Sequence, residues 1–327
     1  MRTWIAVTAA TILLVVGCGD DTPRPTPSAT ASASPTPPAV LPLTGTPAPD
    51  GTVPARPALV VKVDNTRNAR PQLGLSAADL VVEELVEGGL TRLAVMFHSS
   101  LPPAVVPVRS VRTTDIGIVA PTGGVLVGSG GARRVLADID AAGIEVVTEG
   151  DPGISRDRSR RAPYNVVLDP GAALEAFDGT AAPAAPYLPW AGSDAAAPEG
   201  TSAATVVVRF SPAQTTRWQW ADGHWLRADD PAAANDEFRP VNLLVLRVTT
   251  RDAGYLDPAG NPVPETVLDG SGDALLLTGG QVVNGRWSKS GLAAPVQLHD
   301  VTGAALAVPP GRTWIELVPE AGSVEIG

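Results

Sequence analysis

The chain has 327 residues and a formal net charge of −10; hydrophobic residues make up 44% and aromatic ones only 4%. That length allows about two domains with cores built from Val, Leu, Ile and Ala, and the acidic balance argues against non-specific nucleic-acid binding, which needs a cationic surface. The single cysteine, Cys18, excludes disulfides within the chain, and the scattered His98, His224 and His299 offer no zinc-ligand spacing, so no metal or cofactor is expected.

Arg2 followed by the apolar run Trp4 to Val16 reads as a signal peptide over 1–17, too short to span a membrane. The run ends Val15-Val16-Gly17-Cys18, small residues directly before a cysteine, which resembles a lipobox. It implies lipid attachment at Cys18 and anchoring on the extracytoplasmic face of a membrane, where two acyl chains hold stably and one does not. Residues 18–57, rich in Pro, Ser, Thr and Ala, predict a disordered tether. Fully extended, it would reach about 100 Å.

A mixed α/β domain is expected over 58–178. Leu59 to Val63 reads as a buried strand, and Ser76 to Asp79 as a capping box opening a short helical turn. Two β-rich runs flank Gly88-Gly89, a hairpin with a two-residue turn. That register sets Leu85 opposite Arg92 and puts Glu83, Leu85 and Glu87 on the face that Arg92 shares. Such a group is either a solvated surface ion pair or part of a site. Arg109, Arg112 and Asp115 follow, leading into a short helix capped by Thr113 or Thr114.

Residues 124–127, the loop Gly128-Ser129-Gly130-Gly131, a helix over 132–142 and a strand over 144–147 form one β-loop-α-β unit. A glycine-rich loop entering a helix is a candidate anion site. It is not a dinucleotide fingerprint, because Arg133 stands where the third glycine belongs, and it has no P-loop Lys. Nor is there a G-x-S-x-G elbow, since Val127 takes its first glycine position. Arg133 and Arg134 in the first helical turn oppose the dipole, which suits a nearby anion as well as it suits two solvated arginines. Arg156 to Arg161 is the densest basic run, with Asn165 just beyond it.

A linker or loose insertion is expected over 179–203, then a mostly antiparallel β domain over 204–327, folded as a small sandwich or curled sheet. Asp222-Gly223 predicts a hairpin that pairs Trp220 with Trp225, either a structural contact or a stacking platform for sugar rings. Gly279-Gly280 predicts another. Strands are expected at 205–210, 241–249, 296–298 and 314–318.

K-V-D-N (62–65), A-R-P-Q (69–72), A-D-L-V-V-E-E-L-V-E-G-G-L-T-R (78–92) and P-V-R-S-V-R-T-T-D (107–115), with G-S-G-G (128–131) and R-D-R-S-R-R-A-P-Y-N (156–165), resemble the YerB lipoprotein family. So do G-S-G-D-A (270–274), N-G-R-W-S-K (284–289) and G-R-T-W-I-E-L-V-P (311–319). The resemblance implies two domains of unknown function and export, not a chemistry. It puts Glu83, Glu87, Arg92, Arg109, Arg112, Asp115, Arg156, Asp157, Arg160 and Asn165 on the family's motif positions. Tyr164 stands where the family has His, which puts in doubt any mechanism needing that base.

The leading expectation is a binding module in which Arg109, Arg112, Arg133, Arg156 and Arg160 gather around the loop containing Gly130 and hold an anionic lipid carrier or wall polymer. Two alternatives stand beside it. One is a phosphotransferase or hydrolase using Glu83, Glu87, Asp115 or Asp157. The other is a scaffold for an envelope complex, whose protein partners the sequence does not name.

Overall fold

The structure is a computed structural model that describes residues 39–177, 184–192, 195–196, 198–229 and 232–327. The expected signal peptide, Cys18 and the first part of the tether lie outside the described residues. Among the described residues no helix is long and apolar enough to cross a membrane.

Strands dominate. The first half contributes β1 (Leu59–Asp64), β2 (Leu80–Leu85), β3 (Thr91–Phe97), α1 (Asp115–Val119), β4 (Val125–Val127), α2 (Arg133–Ala141), β5 (Val146–Val147), β6 (Ile154–Arg156), β7 (Val166–Leu168) and α3 (Pro170–Glu175). Then come β8 (Thr201–Ser202), β9 (Thr205–Ser211), β10 (Gln214–Ala221), β11 (His224–Arg227), β12 (Asn242–Val248), β13 (Thr250–Leu256) and β14 (Pro262–Thr266). The last are β15 (Gly270–Thr278), β16 (Gln281–Lys289), β17 (Gln297–Asp300), β18 (Thr313–Pro319) and β19 (Ser323–Ile326).

The two halves do not form separate sheets. One sheet of eleven strands runs β17-β16-β15-β12-β18-β2-β3-β1-β4-β5, with β8 added on β16. Its centre is a parallel pair from opposite halves, Leu80 opposite Thr313 through Glu84 opposite Leu317. Apart from their acidic residues and Thr313, both strands are apolar on both faces, the pattern of a strand covered from both sides. On one face lie α1, α2 and residues 187–188. On the other, a four-stranded sheet β11-β10-β9-β19 packs Val206, Val208 and Trp218 against Leu243, Val245 and Trp314. The small separate sandwich expected for the second half is therefore not separate: its strands are divided between the four-stranded sheet and the large sheet shared with the first half.

Several expectations need correction. The tether does not extend to residue 57: Leu41 and Leu43 are buried, Val40 bridges to Pro47, and Leu43 joins the core beneath α1 and α2. Its short apolar run, Val40 to Leu43, has surface enough to dock. The linker is packed as well, with Ala184, Tyr187 and Leu188 buried and the Trp190 indole donating to the Pro42 carbonyl at 2.8 Å.

The capping box does not form. A 3-10 turn, Leu75–Ala77, comes first; the Ser76 hydroxyl donates to Asp236 at 2.6 Å, and Asp79 accepts the His98 and Ser99 amides. Thr114 does not cap α1 either, because its hydroxyl accepts the Thr266 amide at 3.0 Å. In each case a polar side chain that suited a local cap instead ties down a distant segment.

Candidate functional site

The β2–β3 turn holds three residues, Glu87 to Gly89, with Gly88 at φ 68° and Gly89 at φ 70°, both left-handed. Register is therefore one residue from the two-residue expectation: Leu85 faces Thr91 and Glu84 faces Arg92. A one-residue slip exchanges the faces of a strand. Glu84 rather than Glu83 therefore shares the face of Arg92; the two glutamates, neighbours in one strand, point into opposite layers, and both are fully buried.

On the helix-covered face Lys62 of β1 forms ion pairs with Glu84 and, at 2.8 Å, with Asp115 of α1; all three are sealed from solvent. One cation between two carboxylates leaves a proton to be taken up. Burial, partly offset by Lys62 and reinforced by Asp115, pushes the Glu84 carboxyl up to about 7. Asp115 also accepts the Arg112 amide at 2.7 Å.

Glu87 sits between two arginines. It accepts from Arg92 at 2.7 Å and from Arg112 Nε at 2.8 Å, while Arg92 also donates to the Ser110 carbonyl. Burial would raise the Glu87 carboxyl, but the Arg112 hydrogen bond and both guanidinium charges hold it below its ordinary range. Burial and repulsion from Arg112 push Arg92 down to about 10. Arg109 is held by Asp64 at 2.7 Å and lies over the Tyr164 ring, 5.7 Å from its centre.

The arginines do not converge on the glycine loop. The Gly130 carbonyl accepts the Val111 amide, and the Ser129 amide donates to the Arg109 carbonyl, so the loop braces 109–111. A Cβ at Gly128 would lie 2.5 Å from the Val111 side chain. Arg133 is exposed at the start of α2. Arg156 pairs with Glu149 and donates to Asn165 at 2.8 Å, and Arg160 donates to the Pro71 carbonyl at 2.6 Å. The structure thus joins Glu87, Arg92 and Arg112 in one network, sets Arg109 beside Tyr164, and leaves Arg133 apart.

A cleft of about 610 Å³ opens on the same side, between 65–70, Tyr164 and β10. Arg67, Arg70, Arg217 and Asp229 line it. Arg70 is bound to Asp229 at 2.5 Å. Arg67 and Arg217 are exposed, and their side chains make no ion pair or hydrogen bond among the described residues. Of the four charges, three are positive. The sequence reading missed all four as site residues.

It missed a second feature too. On the other face Glu83 accepts from Asn65, Thr91, Gln214 and Thr216, side chains drawn from both halves of the chain. Glu316 of β18 stands in register beside it and accepts the Trp218 indole N–H at 2.7 Å. Burial and the neighbouring Glu83 push the Glu316 carboxyl well above its ordinary range. The legible signal was a lone charge inside an aliphatic run, as in Trp314-Ile315-Glu316-Leu317-Val318. The Trp220–Trp225 pair does form, with ring centres 5.3 Å apart, but Trp225 is fully buried, so the pair is not an open platform. Among the described residues no group of three His, Cys, Asp or Glu side chains is placed to hold a metal ion.

Residues 43–182 match the family described as the protein of unknown function (DUF3048) N-terminal domain, and residues 206–315 match its C-terminal domain. The YerB protein of Bacillus subtilis (strain 168), whose name describes it as a lipoprotein, is 26% identical over 307 residues, covering 87% of this chain and 88% of its own length. The crystal structure of YerB protein from Bacillus subtilis matches this fold with a TM-score of 0.73 at 22% identity, over 88% of this chain and 99% of that one. Both domain matches stand in order on one chain, and the similarity to YerB runs through nearly all of it: the chain belongs to the YerB-like family.

Proposed function

We propose that this protein is held by a lipid on Cys18 at the extracytoplasmic face of a membrane, and that its cleft binds an anionic group, phosphate or carboxylate, of a cell-envelope component. The observation behind the binding reading is the pair Arg67 and Arg217, uncompensated in one cleft of an acidic chain. The planar guanidinium fork grips two oxygens of a carboxylate or of a phosphate at once. The enzymatic alternative finds less support, because Glu83, Glu87 and Asp115 are buried and engaged with partners already, and the partly exposed Asp157 is taken up by the amide and hydroxyl of Ser159.

Calorimetry with a short-chain polyprenyl phosphate is expected to show binding that weakens with salt. The Arg67→Ala/Arg217→Ala double variant is expected to weaken it by about tenfold or more, as lost charge-assisted hydrogen bonds do. Unchanged affinity in the double variant overturns the assignment to this cleft. For the anchor, Cys18→Ser is expected to release the protein from membranes or leave it unprocessed, read by fractionation and mass spectrometry. Retention and processing like the parent's would refute it.

A further inference from the structure

The cleft assigned above to an anionic group is one end of a larger basic surface. Two bonds place the loop between β6 and β7 on its rim. The Tyr164 amide donates to the Arg161 carbonyl at 2.9 Å, and Tyr164 itself lines the cleft. Arg160 donates at 2.6 Å to the carbonyl of Pro71, which follows the cleft residue Arg70. Arg158 and Arg161 on this loop are exposed, and like Arg67 and Arg217 their side chains make no ion pair or hydrogen bond among the described residues. Four arginines without partners thus surround one opening, drawn from the turn after β1, the β6–β7 loop and β10.

The carboxylates nearby do not answer them. Asp229 is bound by Arg70, Asp64 is bound by Arg109 at 2.7 Å, and Asp157 stands 3.8 Å from Arg160. Asn65 and Gln214, which line the cleft, donate to Glu83, so Glu83 and Glu316 lie under its floor. Burial and Glu83 push the Glu316 carboxyl well above its ordinary range, so it keeps its proton, and the charge left on the pair is set against Arg227. Glu87 is shared by Arg92 and Arg112, which adds a positive charge and not a negative one. Each acid is matched, and Arg67, Arg158, Arg161 and Arg217 are in excess, in a chain with 34 acidic residues against 24 basic ones. Walls of one sign concentrate counter-ions in a cleft. A phosphate monoester brings about two negative charges and a carboxylate one, fewer than these four guanidinium groups present.

We propose that the cleft and its rim bind a linear polymer whose negative charges recur along its length, one phosphodiester or carboxylate per unit. The proposal rests on the binding reading of the cleft and adds Arg158 and Arg161 as contacts beyond it. One unit of the chain enters between Arg67 and Arg217, and the next ones pass over the β6–β7 loop. The surface is concave, so a flexible chain follows it where a planar bilayer meets only its rim.

Calorimetry of the full chain at about 0.15 M salt compares orthophosphate with polygalacturonate and with long-chain polyphosphate, whose internal units carry one charge each as a phosphodiester does. A polymer is expected to bind at least about a hundredfold more tightly than orthophosphate, the gain that linked contacts give, and the tighter of the two polymers tells phosphate from carboxylate. Arg158→Ala/Arg161→Ala is expected to lower the slope of log affinity against log salt by about one to two, roughly one per lost contact, and to leave orthophosphate affinity unchanged. Arg286→Ala, near the opposite edge of the large sheet, removes a charge elsewhere and is expected to leave the slope as it is. Polymers that bind no better than orthophosphate, or a slope unaltered in Arg158→Ala/Arg161→Ala, overturn the polymer; if Arg67→Ala/Arg217→Ala still weakens the binding of a single phosphate, the cleft reading stands without it. Full affinity of Arg67→Ala/Arg217→Ala for every probe removes both. Vesicles supply the last arm: association that rises with phosphatidylglycerol content and falls in Arg158→Ala/Arg161→Ala makes the surface a bilayer contact and overturns the polymer.

Discussion

Lys62→Met is expected to destabilise the protein by about 3–5 kcal/mol, the range found when one partner of a buried ion pair is removed. Lys62 stands inside the aliphatic run of β1 with no exposure, and it alone pairs with both Glu84 and Asp115. Without it, two carboxylates share a closed layer with no cation bonded to them. Urea unfolding followed by tryptophan fluorescence reads the loss directly. The double variant Lys62→Met/Glu84→Gln is expected to recover a large part of it, because the uncompensated charge is halved and Asp115 keeps its hydrogen bond from the Arg112 amide. A single variant within about 1 kcal/mol of the parent, the scale of a surface ion pair, would show that water reaches these groups.

The second large effect is a dependence on pH whose sign is unusual for carboxylates. Glu84 ionises near 4.5 in the unfolded chain and near 7 in the folded one, so between those values the folded state holds the extra proton. Stability that this group contributes is complete below pH 4.5 and is lost as pH rises through 7. A shift of that size corresponds to roughly 2–4 kcal/mol. Glu316 works in the same direction. His98 opposes them below its ordinary value of 6.5, because burial lowers its pKa in the fold. Comparing the parent with Glu84→Gln cancels both of those contributions. The parent is expected to lose stability relative to Glu84→Gln between pH 5 and pH 8, measured as the difference in unfolding free energy. Parallel curves for the two proteins would place Glu84 at an ordinary pKa.

The local elements were legible because their signals are local. Aliphatic runs marked β1, β12 and β18, and glycine pairs or Asp-Gly marked the hairpin turns. The register of β2 and β3 was not, since a turn of two residues and a turn of three fit the same Gly-Gly pair, and only one of them buries Glu84 beside Arg92. Nor was the continuity of the sheet, which depends on Leu80 finding Thr313 across most of the chain. The arginines were recognised as unusual, but their partners were not: Asp64 holds Arg109 and Glu149 holds Arg156, and no spacing rule connects those pairs. The cleft joins the turn after β1 to β10, so its charge appears only once the two halves are in contact.

The position of β18 sets the order in which this molecule can be completed. It is the middle rung between β12 and β2, yet it comes after every other strand of that sheet in sequence. Until it emerges, β2 presents an unpaired edge and the two halves of the sheet have nothing to join them, a topology of long sequence separation that folds slowly. With the lipid anchor proposed above, that delay would be useful: a polypeptide that cannot close its central sheet before β18 is made would stay open enough to be threaded through a narrow channel and would lock on the far side.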